Sequence, residues 1–368
     1  MVYNENRSQL ECRIMKNILS FLVLGLLPGW LIAQPSENWT EVNLSITDGQ
    51  VIPRYTAFES SSAGLAAAAQ ALCQATNAMN LENARKSFHA SMDAWQQIQH
   101  VQFGPITYFN WNFRLHYWPD EKGTGPRQLD ELIAAGNEEV LQSDNFSRES
   151  VGVQGFPALE RLLFDDESLL AFREDRYRCQ AAQTIALNIS EIASGVRQRW
   201  ADKFRTTIAN ADERGFFESA EDATIDFLKA QVESVRRIQQ QKLEEVIGES
   251  AARARVRRAE SWRSGRSLRN IKLNVMALKS LFNDSESQSI ELSEVFQAED
   301  ITVINEAFAQ LNSALTPLPD SFEAVLMEEQ GHEKLLQIAA HLDALFEAFE
   351  AGLKNTDLYL GFNSLDGD

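Results

Sequence analysis

Residues 81–101 read LENARKSFHASMDAWQQIQHV, and along them Leu81, Ala84, Phe88, Met92, Trp95, Ile98 and Val101 step by three or four. That spacing lays the apolar side chains in one stripe of a 3.6-residue helix and leaves the charges on the other side. The rhythm returns in Ala182, Ile185, Ile189, Ile192, Val196 and Trp200, in Ile225, Leu228, Val232 and Val235, and in Leu335, Ala339, Leu342, Phe346 and Phe349. No comparably long run alternates with period two, so the sequence predicts an all-α protein of roughly eight to ten helices packed as bundles.

Two stretches break the rhythm. Residues 103–127 (FGPITYFNWNFRLHYWPDEKGTGPR) hold three prolines, three glycines and seven aromatics. A connection so aromatic must bury itself, so an ordered loop is expected there. Residues 209–221 (ANADERGFFESAE) are acidic and rich in small side chains. They are read as the junction between an N-terminal helical half, 34–208, and a C-terminal half, 209–368. No period of 20 to 50 residues repeats, which excludes a solenoid.

Length and composition narrow the class. The 368 residues, 44% hydrophobic and 24% charged, can build a sizeable core without metals or crosslinks. A net charge of -19, from 53 acids against 34 bases, argues against nucleic acid as a partner, because phosphate backbones need a basic footprint. At the start, Arg7, Arg13 and Lys16 precede an apolar run from Ile18 to Ala33 that contains Pro28 and Gly29. The run is too short and broken to span a bilayer and reads as a secretory signal peptide over 1–33, cleaved after Leu31-Ile32-Ala33. Met15 offers a second translation start. No cysteine stands at the cleavage point, so no lipid anchor is expected, and a periplasmic location follows. The mature chain keeps Cys73 and Cys179. In an oxidising compartment these form either a disulfide between two helices or two small buried residues on helix faces.

Signatures of common chemistry are missing: no G-x-S-x-G, H-E-x-x-H, P-loop or dinucleotide glycine pattern occurs. His89 and Asp93 are four apart on one helix. Glu329-x-x-His332 has the spacing of half a di-iron carboxylate site, without a second copy. His332 is in phase with Leu335, Ala339 and Leu342, which favours a hydrogen-bonded core histidine. His116 sits in the aromatic loop, where it can line a pocket. The densest charge anomaly is RARVRRAESWRSGRSLR at 253–269, with seven arginines in seventeen residues. Such a run is either a solvated face or a set of guanidiniums holding a carboxylate.

Three motifs together resemble the imelysin-like family of exported bacterial proteins. The first is Trp95 leading into Phe103-Gly104-Pro105-Ile106, then Arg114, Trp118-Pro119-Asp120 and Arg127. The second is Gly155-Phe156-Pro157-Ala158-Leu159-Glu160-Arg161-Leu162-Leu163-Phe164. The third is Ala259-Glu260-Ser261-Trp262-Arg263-Ser264-Gly265 with Leu360-Gly361-Phe362-Asn363-Ser364-Leu365-Asp366-Gly367-Asp368. The resemblance implies two helical halves with a site in the groove between them, export, and a role either as a metallopeptidase or in iron uptake.

The family's G-x-H-x-x-E signature maps its glycine onto Gly155 and its glutamate onto Glu160, but its histidine position is Pro157. Proline offers no metal donor and no N–H, so the His/Glu pair cannot form. Glu160 is then an anion paired with Arg114, Arg263 or Arg266, or one ligand of an oxygen-rich cation site completed by Asp366 or Asp368. The groove is expected to use Trp95, Gly104, Pro105, Arg114, Trp118, Gly155, Glu160, Arg263, Asn363 and Asp366, with Trp95 and Trp118 as walls. Three functions compete: a non-catalytic ligand-binding protein linked to iron uptake, a metallopeptidase drawing on Glu160, His116 and His332, and a module that receives a peptide or partner protein. A bound iron, zinc or calcium ion fits the first two. Membrane contact would come only through the signal peptide or a partner.

Overall fold

A computed structural model describes residues 38–212, 215–283 and 291–360. The expected signal peptide, Asn363, Asp366 and Asp368 lie outside the described residues. Every regular element among the described residues is helical, as the periodicity predicts. The principal helices are α1 (Trp39–Ile46), α2 (Ile52–Gln74), α3 (Ala78–Gln96), α4 (Thr124–Ala135), α5 (Phe156–Phe164), α6 (Arg176–Arg199), α7 (Ala220–Arg237), α8 (Ser267–Phe282), α9 (Ala298–Leu315) and α10 (Gly331–Leu353). No described helix is long and apolar enough to cross a membrane.

The stripe that opened the reading forms α3. Asn77 caps it by accepting the Asn80 N–H, and Leu81, Ala84, Phe88, Met92 and Trp95 are buried. The helix ends at Gln96, yet Ile98 and Val101 stay fully buried in the turn that follows. α3 packs on α2, and α2 packs along α6, whose buried face is the predicted Ala182, Ile185, Ile189, Ile192 and Val196. Cys73 on α2 and Cys179 on α6 are joined as a disulfide. Of the two readings left open for these cysteines, the structure takes the crosslink.

In the later part of the chain α9 lies along α10, and α7 touches α8 and α10. α7 opens with a reciprocal cap in which Ser219 and Asp222 each bond the other's backbone. It also carries α1: Asn43 Nδ2 donates to the Ala220 carbonyl, and Thr224 donates to Asn43 Oδ1. The first helix thus packs across the junction expected at 209–221.

Among the described residues, three π-helical turns interrupt the ladder, at Thr47–Val51, Trp200–Phe204 and Ile238–Glu244. Each adds a residue to a turn and shifts the helical phase, a device often found near functional sites. The third turns Lys242 into the core beside Ile238, Gln239 and Leu243.

The aromatic connection is ordered. Gly104–Asn110 is a 3-10 turn, Trp111–Leu115 a short helical turn, and an extended run then leads to α4. Pro105, Ile106, Trp111 and Leu115 are buried, whereas Phe109 and Phe113 are exposed.

Candidate ligand-binding cavity

A cavity of about 450 Å3 opens between the run 116–126, the start of α5 and the arginine-rich segment 255–263. That volume suits a small molecule. Trp118, Glu160 and Arg263, three of the expected groove residues, line it together with His116, Ser261 and Trp262. The two chain segments at the mouth are tied directly, because Trp118 Nε1 donates to the Arg258 carbonyl at 3.2 Å. Asp120 steadies the same loop by accepting the N–H groups of Thr124 and Gly125 at the start of α4.

Local backbone demands explain how α5 delivers Glu160. Gly155 precedes the helix, and a Cβ there would stand 2.2 Å from the Leu115 carbonyl oxygen and 2.4 Å from that of Arg114. Only glycine permits that approach. Pro157 follows in the first turn, where a missing N–H costs nothing. One turn on, Glu160 is buried, with Oε1 accepting the Ser264 N–H at 2.8 Å and the Ser264 hydroxyl at 2.6 Å. Oε2 has no hydrogen-bond partner among the described residues. Burial pushes the Glu160 carboxyl up, and the Ser264 donors, Arg263 and His116 offset this only in part.

Beneath the cavity lies a polar cluster with no counterpart in the sequence reading. Glu260 Oε2 accepts from Lys242 Nζ at 2.8 Å and Asn270 Nδ2 at 2.9 Å. Its Oε1 accepts from Gln96 Nε2 at 3.1 Å and lies 3.0 Å from His116 Nε2. Lys242 is completed by Gln96 Oε1 and Asn274 Oδ1. Burial alone would raise the Glu260 carboxyl, but Lys242 and His116 outweigh it and hold it well below the usual carboxylate range. Burial also draws the Lys242 ammonium down, against the opposing pull of Glu260.

The other expected groove residues are placed elsewhere. Trp95 is a core residue, 1% exposed and packed on Phe58 with ring centroids 5.6 Å apart, and so not a cavity wall. Gly104 takes φ +68, and a Cβ there would press on the Phe204 ring at 2.7 Å, so Gly104 and Pro105 shape the buried loop. Arg114 bonds Gln154 Oε1 and Asn188 Oδ1 and does not pair with Glu160. Arg263 pairs with Asp165, and Arg266 with Asp93.

The histidine candidates resolve similarly. His89 Nδ1 accepts from Arg266 and Asp93 is shared by Arg266 and Arg269, so the pair is held by guanidiniums in an arginine cluster. His332 Nε2 lies 3.2 Å from the Gly248 carbonyl and 3.3 Å from that of Ile247, a core histidine away from the cavity lining. No group of three or more His, Cys, Asp or Glu side chains among the described residues is placed to hold a metal ion. Glu160 is bonded to a serine, His116 faces Glu260, and Pro157 contributes no donor. These residues do not fit a zinc- or iron-type centre.

Fold and site together define a class first: an all-helical protein whose signature glutamate sits one turn into a short helix against a small-molecule cavity. The sequence pattern of one family, Imelysin, matches residues 51–350, and the chain belongs to that family. It is 24% identical over 317 residues to "Iron-regulated protein A" of Synechococcus elongatus, covering 82% of each chain. Two solved structures share the fold. An imelysin-like protein from Psychrobacter arcticum 273-4 superposes with a TM-score of 0.70 at 19% identity, over 88% of this chain and 97% of that one. A protein from Parabacteroides distasonis ATCC 8503 described as an iron-regulated protein A precursor gives 0.71 at 15% identity, over 85% and 94%.

Proposed function

We propose that this protein is exported to the periplasm and binds a small ligand in the cavity beside Glu160 in the service of iron acquisition, without catalysing a reaction. The observation that carries the reading is the cavity itself, preformed by two segments 140 residues apart and bonded at Trp118. The iron-regulated designation of the Synechococcus relative supports the link to iron, and the precursor designation of the Parabacteroides protein supports export. Pro157 at the signature histidine weighs against a metallopeptidase, since a zinc site needs about three protein ligands.

The test is growth under iron limitation of a strain lacking the protein, complemented by wild type or by Ala158→Trp, which fills the cavity from its wall. The wild type is expected to restore growth and Ala158→Trp to fail while keeping its thermal midpoint. Full complementation by the filled variant would sink the reading. Cleavage of an unfolded polypeptide by the zinc-supplemented protein would overturn the non-catalytic part.

A further inference from the structure

The cavity lining carries five arginines, and their partners divide them. Arg161 pairs with Asp130 and Asp165, and Arg263 with Asp165. Arg255, Arg257 and Arg258 line the same cavity and have no carboxylate partner among the described residues. In a chain with 53 acids against 34 bases, a cation is easily neutralised by neighbours. Three guanidiniums within four residues repel one another, and a ligand anion relieves that repulsion. Trp262 steadies part of the rim, with Arg263 4.4 Å and Arg257 5.6 Å from its ring centroid.

The inner wall asks for something different. Glu160 Oε2 receives no hydrogen bond from the described residues and is not sealed from solvent, so it is open to a donor placed in the cavity. Both ring nitrogens of His116, in a side chain 7% exposed that lines the cavity, are buried without a well-formed hydrogen bond, Nε2 lying 3.0 Å from Glu260 Oε1. Orphaned buried polar atoms are uncommon and point to a missing partner. A ligand hydroxyl supplies the donor that Glu160 Oε2 lacks. A bare cation is poorly matched to a mouth of three arginines.

We infer, on the premise that the cavity is the binding site, that its ligand is a compact hydroxylated polycarboxylate, with carboxylates on Arg255, Arg257 and Arg258 and a hydroxyl toward Glu160. The guanidinium fork suits a carboxylate through paired N–H bonds. The rim is exposed while Glu160 is buried, so the anionic end of the ligand faces the mouth and its hydroxyl faces inward.

Calorimetric titration of the mature protein tests this with citrate, ferric citrate, tricarballylate (citrate without its hydroxyl) and an acidic tripeptide. Citrate, free or ferric, is expected to bind saturably at one site. Affinity should fall as salt is raised and drop about tenfold or more in Arg257→Gln/Arg258→Gln. Tricarballylate should bind more weakly than citrate to the wild type, and that preference should shrink in Glu160→Gln. Both arginines are exposed, so the double variant should keep the wild-type melting temperature, and Ala158→Trp should abolish binding by occlusion. If only ferric citrate binds, the iron-loaded form is the ligand and the carboxylate class stands. Absence of carboxylate binding, unchanged affinity in the arginine variant, or preference for the tripeptide would each overturn the inference. Iron-dependent complementation without carboxylate binding would leave the proposed function standing and remove this ligand class. Carboxylate binding with normal growth of the filled variant would do the reverse.

Discussion

Glu160 and Glu260 are both buried glutamates beside the same histidine, yet one carboxyl is held up and the other held down. Burial acts alike on the two, so the difference is in the partners. Glu260 has donors on both oxygens, Lys242 and Asn270 on one and Gln96 on the other, with His116 Nε2 3.0 Å from the latter. Glu160 has both of its donors, from Ser264, on a single oxygen. A fully satisfied buried charge fixes structure, whereas a half-satisfied one at a cavity is open to a ligand.

Removing one partner from the satisfied site should produce the largest effect. Glu260→Gln is expected to cost about 3–5 kcal/mol in denaturant unfolding, because the Lys242 ammonium loses its counter-charge in the core. Adding Lys242→Met should recover part of that loss, and strict additivity of the two changes would deny the coupling. Because the folded-state Glu260 carboxyl is depressed, its contribution is present above about pH 4.3 and lost on acidification, so the gap between wild type and Glu260→Gln should narrow as pH falls below that value.

Ser264→Ala comes next. It removes one of two donors to an ionised group and should cost about 1.5–3 kcal/mol at neutral pH, with a smaller cost in acid. Glu160→Gln keeps the acceptor for Ser264 and discards the charge. It should leave neutral stability unchanged or raised. A carboxyl raised by folding stabilises below its unfolded value, about pH 4.3, and that contribution is lost as pH rises through the folded value. The gain from Glu160→Gln should therefore appear on going from acid to neutral, opposite in sign to the Glu260 series. Parallel profiles for the two glutamines would erase the distinction. The smallest effect belongs to Arg257→Gln, an exposed change expected to shift stability by no more than about 0.5 kcal/mol.

Helical faces were legible because burial repeats every 3.6 residues, and Phe88, Ile189 and Leu342 all lie where that period puts them. Trp118, Glu160 and Arg263 were reachable through short motifs that meet at the cavity. Trp95 and Arg114 belong to the same motifs but serve packing and loop anchoring, since a motif does not distinguish a residue that touches a ligand from one that holds the frame. The Glu260 cluster was hidden for two physical reasons. Gln96 and Glu260 are 164 positions apart, and Lys242, though in phase with Leu228 and Val235, is a charged side chain that an apolar pattern does not count as core. Ser264 stood inside the third motif, but nothing in a serine after an arginine marks it as the donor to Glu160.

The Cys73–Cys179 bridge joins α2 to α6, and neither helix contributes a residue to the cavity lining. It closes a span of 106 residues, long enough for a crosslink to restrict the unfolded chain strongly. Cutting it with a reductant would therefore shorten the protein's lifetime against proteases without altering a wall of the cavity. The crosslink thus bears on how long the molecule survives, while the cavity walls are built by other elements.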